Sequence, residues 1–533
     1  MIKIVSGKKM GEIDRETMKR FGIPGLILME NAGLQVVQLL QALRPDRTRG
    51  RIAIFCGRGN NGGDGFVIAR HLRRLGYRVT TWALDHVSTY QGDAEINYQI
   101  LLQQGETVFQ MKEADPQEFI RDLGAEDLIV DALLGTGLGR PVSGLLLDLI
   151  SALNGSAAPA VAVDIPSGVS ADTGEVLGAA VQADYTVTFA LPKRGLLLFP
   201  GAACTGRLVV ADIGIPAKLT TAPEIKENLI TGHFVQSCLP SRRLNGHKGT
   251  YGRALILAGS PGMTGAAALA GEAALKGGAG LVYVGTAAEL RPVLESKLKE
   301  VITWGFPGDG QGNLTAGGLQ EILRAAADCQ ALAVGPGLQP TQETLLLFKK
   351  LGGAIAVPLV VDAGALGALA LEPEFLERKG DRAPLVLTPH PGEMGRLAGC
   401  STADVQKQRW ALAAEKAQAW QAVVVLKGAH TVTALPGGEL FINPTGNPLL
   451  STAGTGDLLT GLITALAAQG LKAGKAALCG AYLHGLAADL LQTHAGPCGF
   501  MAGDVLDFFP DAFSKVAKLP PAVSGAHFYI RAD

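Results

Sequence analysis

The chain has no charge of one sign to offer a polyanion. Its 47 Lys and Arg nearly balance its 48 Asp and Glu, for a formal charge of −1. Aromatic residues stand at 5%, so neither an electrostatic nor a stacking footprint for nucleic acid is present. Cysteine is sparse and scattered. Cys56, Cys204, Cys238, Cys329, Cys400, Cys479 and Cys498 form no C-x-x-C, which argues against a zinc site and for a reducing compartment. The N-terminus lacks a charged stretch followed by an apolar one, so no secretory signal is expected and a cytoplasmic location is. Long apolar runs are lacking as well. The most apolar windows, such as Gly265–Gly285, are broken by Glu272 and Lys276, and no membrane partner is expected. No His, Cys and carboxylate set has metal-ligand spacing.

Glycine and apolar residues are what the chain does have. Hydrophobic residues make up 47%, enough to bury large cores. Length suggests three or four domains, or two if both are large α/β folds. The 70 glycines fall in short clusters without a fixed period, which excludes collagen or linker composition and points to tight turns against ligands.

The most informative cluster runs from Asn447 to Leu459. A flexible segment leads through Thr452-Ala453 into Gly454-Thr455-Gly456-Asp457, and an apolar helix pattern starts at once. Glycines let a backbone approach a ligand closely. The unpaired amides and positive dipole of a helix start then suit a phosphate. Helix amides are expected to favour the ionised form of Asp457, which could take a proton from a hydroxyl beside that phosphate. The plainer reading is that Thr455 or Asp457 only caps the helix.

The first half alternates strands with glycine-rich turns. Met10 to Leu43 reads as two helices broken at Gly22-Ile23-Pro24-Gly25. The strand Arg51–Cys56 runs into Gly57-Arg58-Gly59-Asn60-Asn61-Gly62-Gly63-Asp64-Gly65. Gly57, Gly59 and Gly62 match G-x-G-x-x-G and Asp85 ends the next strand, a dinucleotide fingerprint. Asn60, Asn61 and Asp64 fill that turn with side-chain oxygens, which suits a hard cation or a polyhydroxyl ligand instead. Leu128–Val130 ends in Asp131-Ala132-Leu133-Leu134-Gly135-Thr136-Gly137-Leu138-Gly139, followed by Arg140 and Pro141. Ala160–Val163 ends in Asp164-Ile165-Pro166-Ser167-Gly168, and Val187–Ala190 ends in Leu191-Pro192-Lys193-Arg194-Gly195. In a parallel sheet these ends share one edge, where ligands bind. Asn61, Asp131, Asp164 and Ser167 can converge there, with Lys193 as a cation or acid. Alternatively each Asp caps its own loop and Lys193 is a solvated surface lysine.

After a join at residues 220–235 the alternation resumes, and βαβ order predicts another parallel sheet. Strands end in Gly259–Ala266, Gly335-Pro336-Gly337, Asp362-Ala363-Gly364, Thr388-Pro389-His390-Pro391-Gly392-Glu393 and Lys427-Gly428-Ala429-His430-Thr431. His390, set between two prolines, is placed for ligand contact. Lys427 either meets phosphate or caps the sheet edge.

These motifs carry a resemblance across most of the chain. N-N-G-G-D-G at Asn60, D-A-L-L-G-T-G-L at Asp131, D-I-P-S-G at Asp164 and P-K-x-G at Pro192 resemble the YjeF-type NAD(P)H-hydrate epimerases over residues 1–225. K-G-x-Y-G at Lys248, G-P-G-L at Gly335, T-P-H-P-G-E at Thr388, L-K-G-A at Leu426 and T-G-N-P…T-A-G-T-G-D ending at Asp457 resemble the ADP-dependent NAD(P)H-hydrate dehydratases over residues 235–515. The resemblance implies an α/β chain with a Rossmann-like three-layer domain followed by a ribokinase-like domain. It implies epimerisation of R- and S-NADHX and NADPHX at C6 in the first half, and ADP-dependent dehydration of the S epimer, with Mg2+, in the second.

By the same resemblance, potassium would sit at Asn61, Asp131 and Ser167. The first substrate site would comprise Asn60–Asp64, Gly135–Pro141 and Asp164; because epimerisation at C6 needs an acid or base near the hydroxyl, Asp164 at its strand end is expected to be catalytic, with Lys193 assisting. The second hydrate site would comprise Ala266, Gly337, His390–Glu393 and Asp457, with Asp457 the base. ADP would lie on Lys427–Thr431 and on Asn447 and Thr452–Gly456. One departure is Gly364, where related sequences often carry a second acid; this weakens a two-carboxylate magnesium loop. A homo-oligomer is expected. A small-molecule kinase carrying an N-terminal regulatory module is the alternative that the phosphate-binding stretch leaves open, and an NAD-dependent dehydrogenase is a further one. The tail after Lys515 matches nothing assignable.

Overall fold

The computed structural model describes residues 1–112, 115–377, 383–494, 498–521 and 528–529. The chain divides into two compact units. One comprises residues 2–225 with the strand Phe528–Tyr529, and the other comprises residues 226–521. The division falls inside the join expected at 220–235. Residues there are not mere connector, because Glu227–Leu229 in the mixed-charge run is a strand of the second unit's sheet.

The first unit is built on an 8-stranded sheet. Its strands are β1 (Ile52–Cys56), β2 (Val79–Ala83), β3 (Val108–Gln110), β4 (Leu128–Ala132), β5 (Ala160–Val163), β6 (Tyr185–Phe189) and β7 (Arg207–Ala211). Their order is β7-β6-β5-β4-β1-β2-β3, all parallel, with Phe528–Tyr529 antiparallel on the β7 edge. The central strands are buried on both faces, which is why β1, and β4 up to Asp131, read as continuous apolar runs rather than alternating ones. Strand β3 escapes sequence detection for the opposite reason. It is a sheet edge of three residues, none fully buried.

Three helices frame the ligand edge of this sheet. Helix α1 (Gly7–Phe21) is capped by Ser6, whose side chain accepts from Lys9 N, and stops at Gly22, where φ is 69°. Helix α2 (Gly25–Leu43) follows, and α3 (Asn60–Arg74) begins directly on the glycine-rich turn. By length and composition α2 could cross a membrane, which corrects the expectation that no segment has that character. Its Leu28, Ala32, Val36 and Leu40 belong to the unit's buried core, and its Glu30 receives His71 Nε2 at 2.6 Å.

The second unit's sheet contains β8 (Glu227–Leu229), β9 (Arg253–Leu257), β10 (Leu281–Ala287), β11 (Ile302–Phe306), β12 (Ala331–Val334), β13 (Leu359–Val361), β14 (Leu385–Leu387), β15 (Val423–Leu426), β16 (Val432–Ala434) and β17 (Leu440–Ile442). From β8 the order is β8-β17-β16-β15-β14-β13-β12-β9-β10-β11. Strands from β15 through β11 run parallel, and the β15-β16-β17 ribbon is antiparallel. Strand β11 is the second edge missed from sequence; its exposed Ile302 and Gly305 and half-buried Trp304 hide the pattern. Helices α4 (Thr264–Lys276) and α5 (Thr455–Ala468) pack their alanine- and leucine-rich faces into one core over this sheet. The start of α5 is thereby fixed beside the C-terminal ends of β13, β14 and β15.

Candidate active sites

In the first unit the strand ends enclose a cleft of about 900 Å3. Asn60, Asn61 and Asp64 line it from the start of α3, Gly135 to Arg140 from the loop after β4, and Asp164 and Lys193 from the ends of β5 and β6. The turn can sit so close to its neighbour because of glycine: a Cβ at Gly57 would overlap the Leu133 carbonyl oxygen, and one at Gly62 would overlap the Gly57 carbonyl oxygen. Asp164 adopts φ 65° and Ala190 φ 59°, a left-handed backbone that side chains other than glycine rarely take and that concentrates at functional sites.

Lys193 is 1% exposed. Its ammonium forms an ion pair with Asp164 Oδ1 and donates to Thr188 Oγ1 and the Phe189 carbonyl, both at 3.1 Å. Asp164 Oδ1 also accepts from Thr188 Oγ1 at 3.1 Å and from Phe189 N at 3.0 Å. All of these donors go to one carboxylate oxygen, which leaves Oδ2 for the cleft. Asp64 is buried beside this pair. Burial, then the Asp164 charge, hold its carboxyl well above the ordinary range. This is a cluster in which a proton can be kept and moved.

Asn61, Asp131 and Ser167 meet beneath the cleft around Leu134. Ser167 Oγ donates to Asp131 Oδ1 at 2.6 Å and accepts from Leu134 N at 2.8 Å, while Ser167 N donates to Asp131 Oδ2 at 2.8 Å. Asn61 Nδ2 donates to the Leu134 carbonyl at 3.1 Å. Asp131 is fully buried, and burial pushes its carboxyl up to about 6 against the hydrogen bonds from Ser167 and Leu133. Among the described residues it has no cationic side-chain partner.

The second unit places its predicted groups at one sheet edge. Asp457 lies in the first turn of α5. Gly454 precedes it with φ 92°, the left-handed turn that aims the helix start. Asp362, at the end of β13, receives Lys427 Nζ on Oδ1 at 2.8 Å and Thr460 Oγ1 on Oδ2 at 2.8 Å. Glu393 Oε2 lies 3.9 Å from Lys427 Nζ and accepts from His390 N at 2.8 Å. His390 caps its short helix, accepting on Nδ1 from Gly392 N and Glu393 N, and keeps half its side chain exposed. Gly337 brings the end of β12 against α4, since a Cβ there would stand 3.1 Å from Ala266 Cβ. A side chain at Gly364 would overlap the Leu338 carbonyl oxygen.

Electrostatics corrects one expectation. Asp457 is not held ionised by the helix amides. Burial, then the Asp362 charge, push its carboxyl up to about 7, with Lys427 opposing. Desolvation outweighs the helix start because no side chain or amide donates to this carboxylate among the described residues. The result is a carboxyl close to neutrality, as a general base requires. Lys427 is raised as well: burial opposes its charge, but the Asp362 and Glu393 carboxylates outweigh that and keep the ammonium protonated.

Comparison with known proteins agrees with both halves. Residues 25–195 match the family model described as YjeF-related protein N-terminus, and residues 254–510 match the one described as NAD(P)H-hydrate dehydratase. The protein named bifunctional NAD(P)H-hydrate repair enzyme Nnr from Moorella thermoacetica is 47% identical over 95% of this chain and 96% of its own length. The chain belongs to the bifunctional NAD(P)H-hydrate repair enzyme family. The Escherichia coli relative of the same name is 36% identical over 92% of this chain and 90% of its own. A crystal structure of the ADP/ATP-dependent NAD(P)H-hydrate dehydratase from Bacillus subtilis, 35% identical, covers 54% of this chain and 98% of that one, with a TM-score of 0.47.

Several family-pattern residues serve the scaffold rather than the cavity. Gly62 and Gly63 are buried inside α3, where Gly63 faces the Met29 sulfur, and neither lines the cleft. Pro141 is exposed beyond the cleft's rim. Asn447 spends its side chain on Asp489 Oδ1 and Leu449 N, both at 3.0 Å, as a cap. The Thr455 hydroxyl donates to the Leu450 and Thr452 carbonyls and so closes its own loop. Asp85 is no ribose ligand: Arg58 and Lys112 take its carboxylate. Lys193 is a buried ion-pair partner and not a solvated lysine. Sequence reading underrated Asp362, whose strand-end position was its only signal, and passed over Thr460 and Asp14. Gly428, Ala429 and Ala453 are exposed, and His430 and Thr431 stand half-buried beside them, open to a ligand at that edge.

Proposed function

We infer that this chain repairs hydrated NADH and NADPH in two reactions. The first unit interconverts the R and S hydrates at C6, and the second dehydrates the S hydrate at the expense of ADP, releasing AMP and phosphate. The observation that carries the second reaction is the largely buried carboxyl of Asp457 set at a glycine-rich helix start beside Lys427. Asp457 removes the C6 hydroxyl proton, and that oxygen attacks the β-phosphorus of ADP as AMP departs. The Gly454–Gly456 amides and Lys427 carry the charge that develops on the phosphoryl oxygens. The C6–O bond then breaks, driven by the ring nitrogen lone pair, and loss of a C5 proton restores the dihydropyridine.

Lys427–Thr431 and Thr452–Gly456 hold the nucleotide, while His390–Glu393, Ala266 and Gly337 hold the nicotinamide part. The Asp362–Gly364 loop offers magnesium no pair of carboxylates, because Asp362 is engaged by Lys427 and Thr460 and residue 364 has no side chain. We place it on the nucleotide's phosphates. In the first unit Asp164 Oδ2 handles the proton of the C6 hydroxyl, with Lys193 fixing the carboxylate. Potassium suits the Asn61, Asp131 and Ser167 oxygens, since a buried carboxylate without a cationic partner calls for one. When bound it would supply the positive charge that keeps Asp131 ionised. Seven unpaired cysteines suit a reducing, cytoplasmic setting.

The test supplies mixed R/S NADHX with ADP and follows the returning absorbance of reduced nicotinamide together with phosphate and AMP. Complete consumption with one phosphate per NADH is expected. Arrest when only one epimer is spent would remove the epimerase. A phosphorylated product accumulating from ATP would point to a kinase instead.

A further inference from the structure

Met10, Asp14 and Met18 line the first cleft from α1. They stand four residues apart and so share one side of the helix. Asp14 is the only ionisable group on that stripe. Among the described residues its carboxyl has no hydrogen bond or ion pair, although a carboxylate between two methionines ordinarily finds a donor. The groups that face it are Arg15 on its own helix, Asp64 on α3, and Asp164 and Lys193 at the ends of β5 and β6. Burial pushes its carboxyl up to about 6; Asp164 adds to the rise, and Lys193 and Arg15 oppose it. Asp14 thus reaches the same space as the Asp164–Lys193 pair, from a different wall.

Inversion at C6 asks for two positions that handle protons. The C6–O bond breaks as the ring nitrogen lone pair forms an N1=C6 double bond, and the departing hydroxyl takes one proton and leaves as water. Water then adds to C6 from the opposite face. Its surplus proton passes to a base, and the N1=C6 electron pair returns to nitrogen. One proton is delivered on one face and one is removed on the other, so the sum is zero, and the reverse reaction exchanges the two roles. A single carboxyl cannot stand on both faces of a flat ring. We propose that Asp14 is the second acid–base residue of this cleft, serving the face of the nicotinamide ring that Asp164 does not. The inference rests on the epimerase reading of the first unit.

The experiment uses the full chain carrying Asp14→Asn or Asp14→Glu, with R-NADHX and no ADP, and follows the epimer ratio by chromatography above the rate without enzyme. For Asp14→Asn, kcat is expected to fall by about 10²-fold or more with KM moving less than about threefold, and Asp14→Glu to recover at least about a tenth of the wild-type rate. An Asn variant with kcat within about threefold of wild type would overturn the inference. So would a loss confined to KM, or one that Glu fails to relieve, since either marks a wall residue without proton chemistry. If the wild-type chain itself fails to speed the interconversion, the epimerase reading falls, whatever Asp14 does. If wild type and the Asn variant are equally fast, that reading stands and only Asp14's role is lost.

Discussion

Replacing Asp457 by Asn removes a base without changing shape, and the site's electrostatics fix what should follow. ADP-dependent dehydration of the S hydrate is expected to drop about 10²–10⁴-fold. In the wild-type enzyme the carboxyl at about 7 is about half ionised at neutral pH and about one-tenth ionised a pH unit lower. The profile of kcat/KM, which reports the free enzyme, should therefore rise about tenfold per pH unit on the acid side and level off above about pH 8. Asp362→Asn tests the cause. It deletes the neighbouring negative charge and releases Lys427 from its 2.8 Å ion pair; both changes lower the Asp457 carboxyl, so the limb should move to lower pH. Stability has its own sign. A carboxyl raised above its ordinary 3.8 contributes stability that is complete below that value and is lost as pH rises through about 7. Asp457→Asn cannot ionise, so without ligand it should melt higher than wild type at about pH 8 and lose that advantage toward about pH 4. The difference is on the order of a few kcal/mol. Absorbance-monitored turnover and scanning calorimetry across pH decide the matter. A flat wild-type profile, an Asp362→Asn limb that stays put, or near-normal turnover by Asp457→Asn would each refute the reasoning.

Three further outcomes are expected. Asp164→Asn should lower epimerisation about 10²-fold or more while purified S-NADHX is still dehydrated, read by separating the epimers chromatographically. Exchanging potassium for tetramethylammonium at constant ionic strength should lower the first unit's melting temperature, by the equivalent of about 2.7 kcal/mol if potassium had stood at 100 times its dissociation constant. Asp131→Asn should abolish that dependence, and thermal melts in the two salts show it. Gly57→Ala should cost several kcal/mol by driving a methyl into the Leu133 carbonyl, whereas Gly137→Ala, with nothing within 4 Å of the new Cβ, should fold normally; denaturant titration compares them.

How much was legible follows from what each part of the chain faces. Central strands buried on both sides announce themselves as apolar runs, and the turns behind them follow directly, so Asp131, Asp164, Ser167, His390 and Lys427 could be placed on sheet edges from spacing alone. The edge strands Val108–Gln110 and Ile302–Phe306 have one flank in solvent and lose that signal. Pairings across long separations were beyond reach. Lys427 and Asp362 lie 65 residues apart, and only the fold shows that Asp362 raises the proton affinity of Asp457. Asp14 was hidden because an acid on an amphipathic helix looks like a solvated face until a cleft is found against it. Gly62 and Asn447 show the converse: a motif position can recur for packing or capping and still read as ligand contact.

The glycines around the first cleft divide into two kinds. Gly57 and Gly62 are pinned against carbonyl oxygens, so the turn before α3 and the loop leaving β4 are locked together as a floor that cannot be widened one side chain at a time. Gly59, Gly137 and Gly139 meet nothing within 4 Å and form a rim with room to spare. Variation that the rim tolerates is closed to the floor. Side chains can therefore be added at Gly59, Gly137 or Gly139 to narrow or recharge the mouth of the cleft while the strand-end groups beneath keep their places.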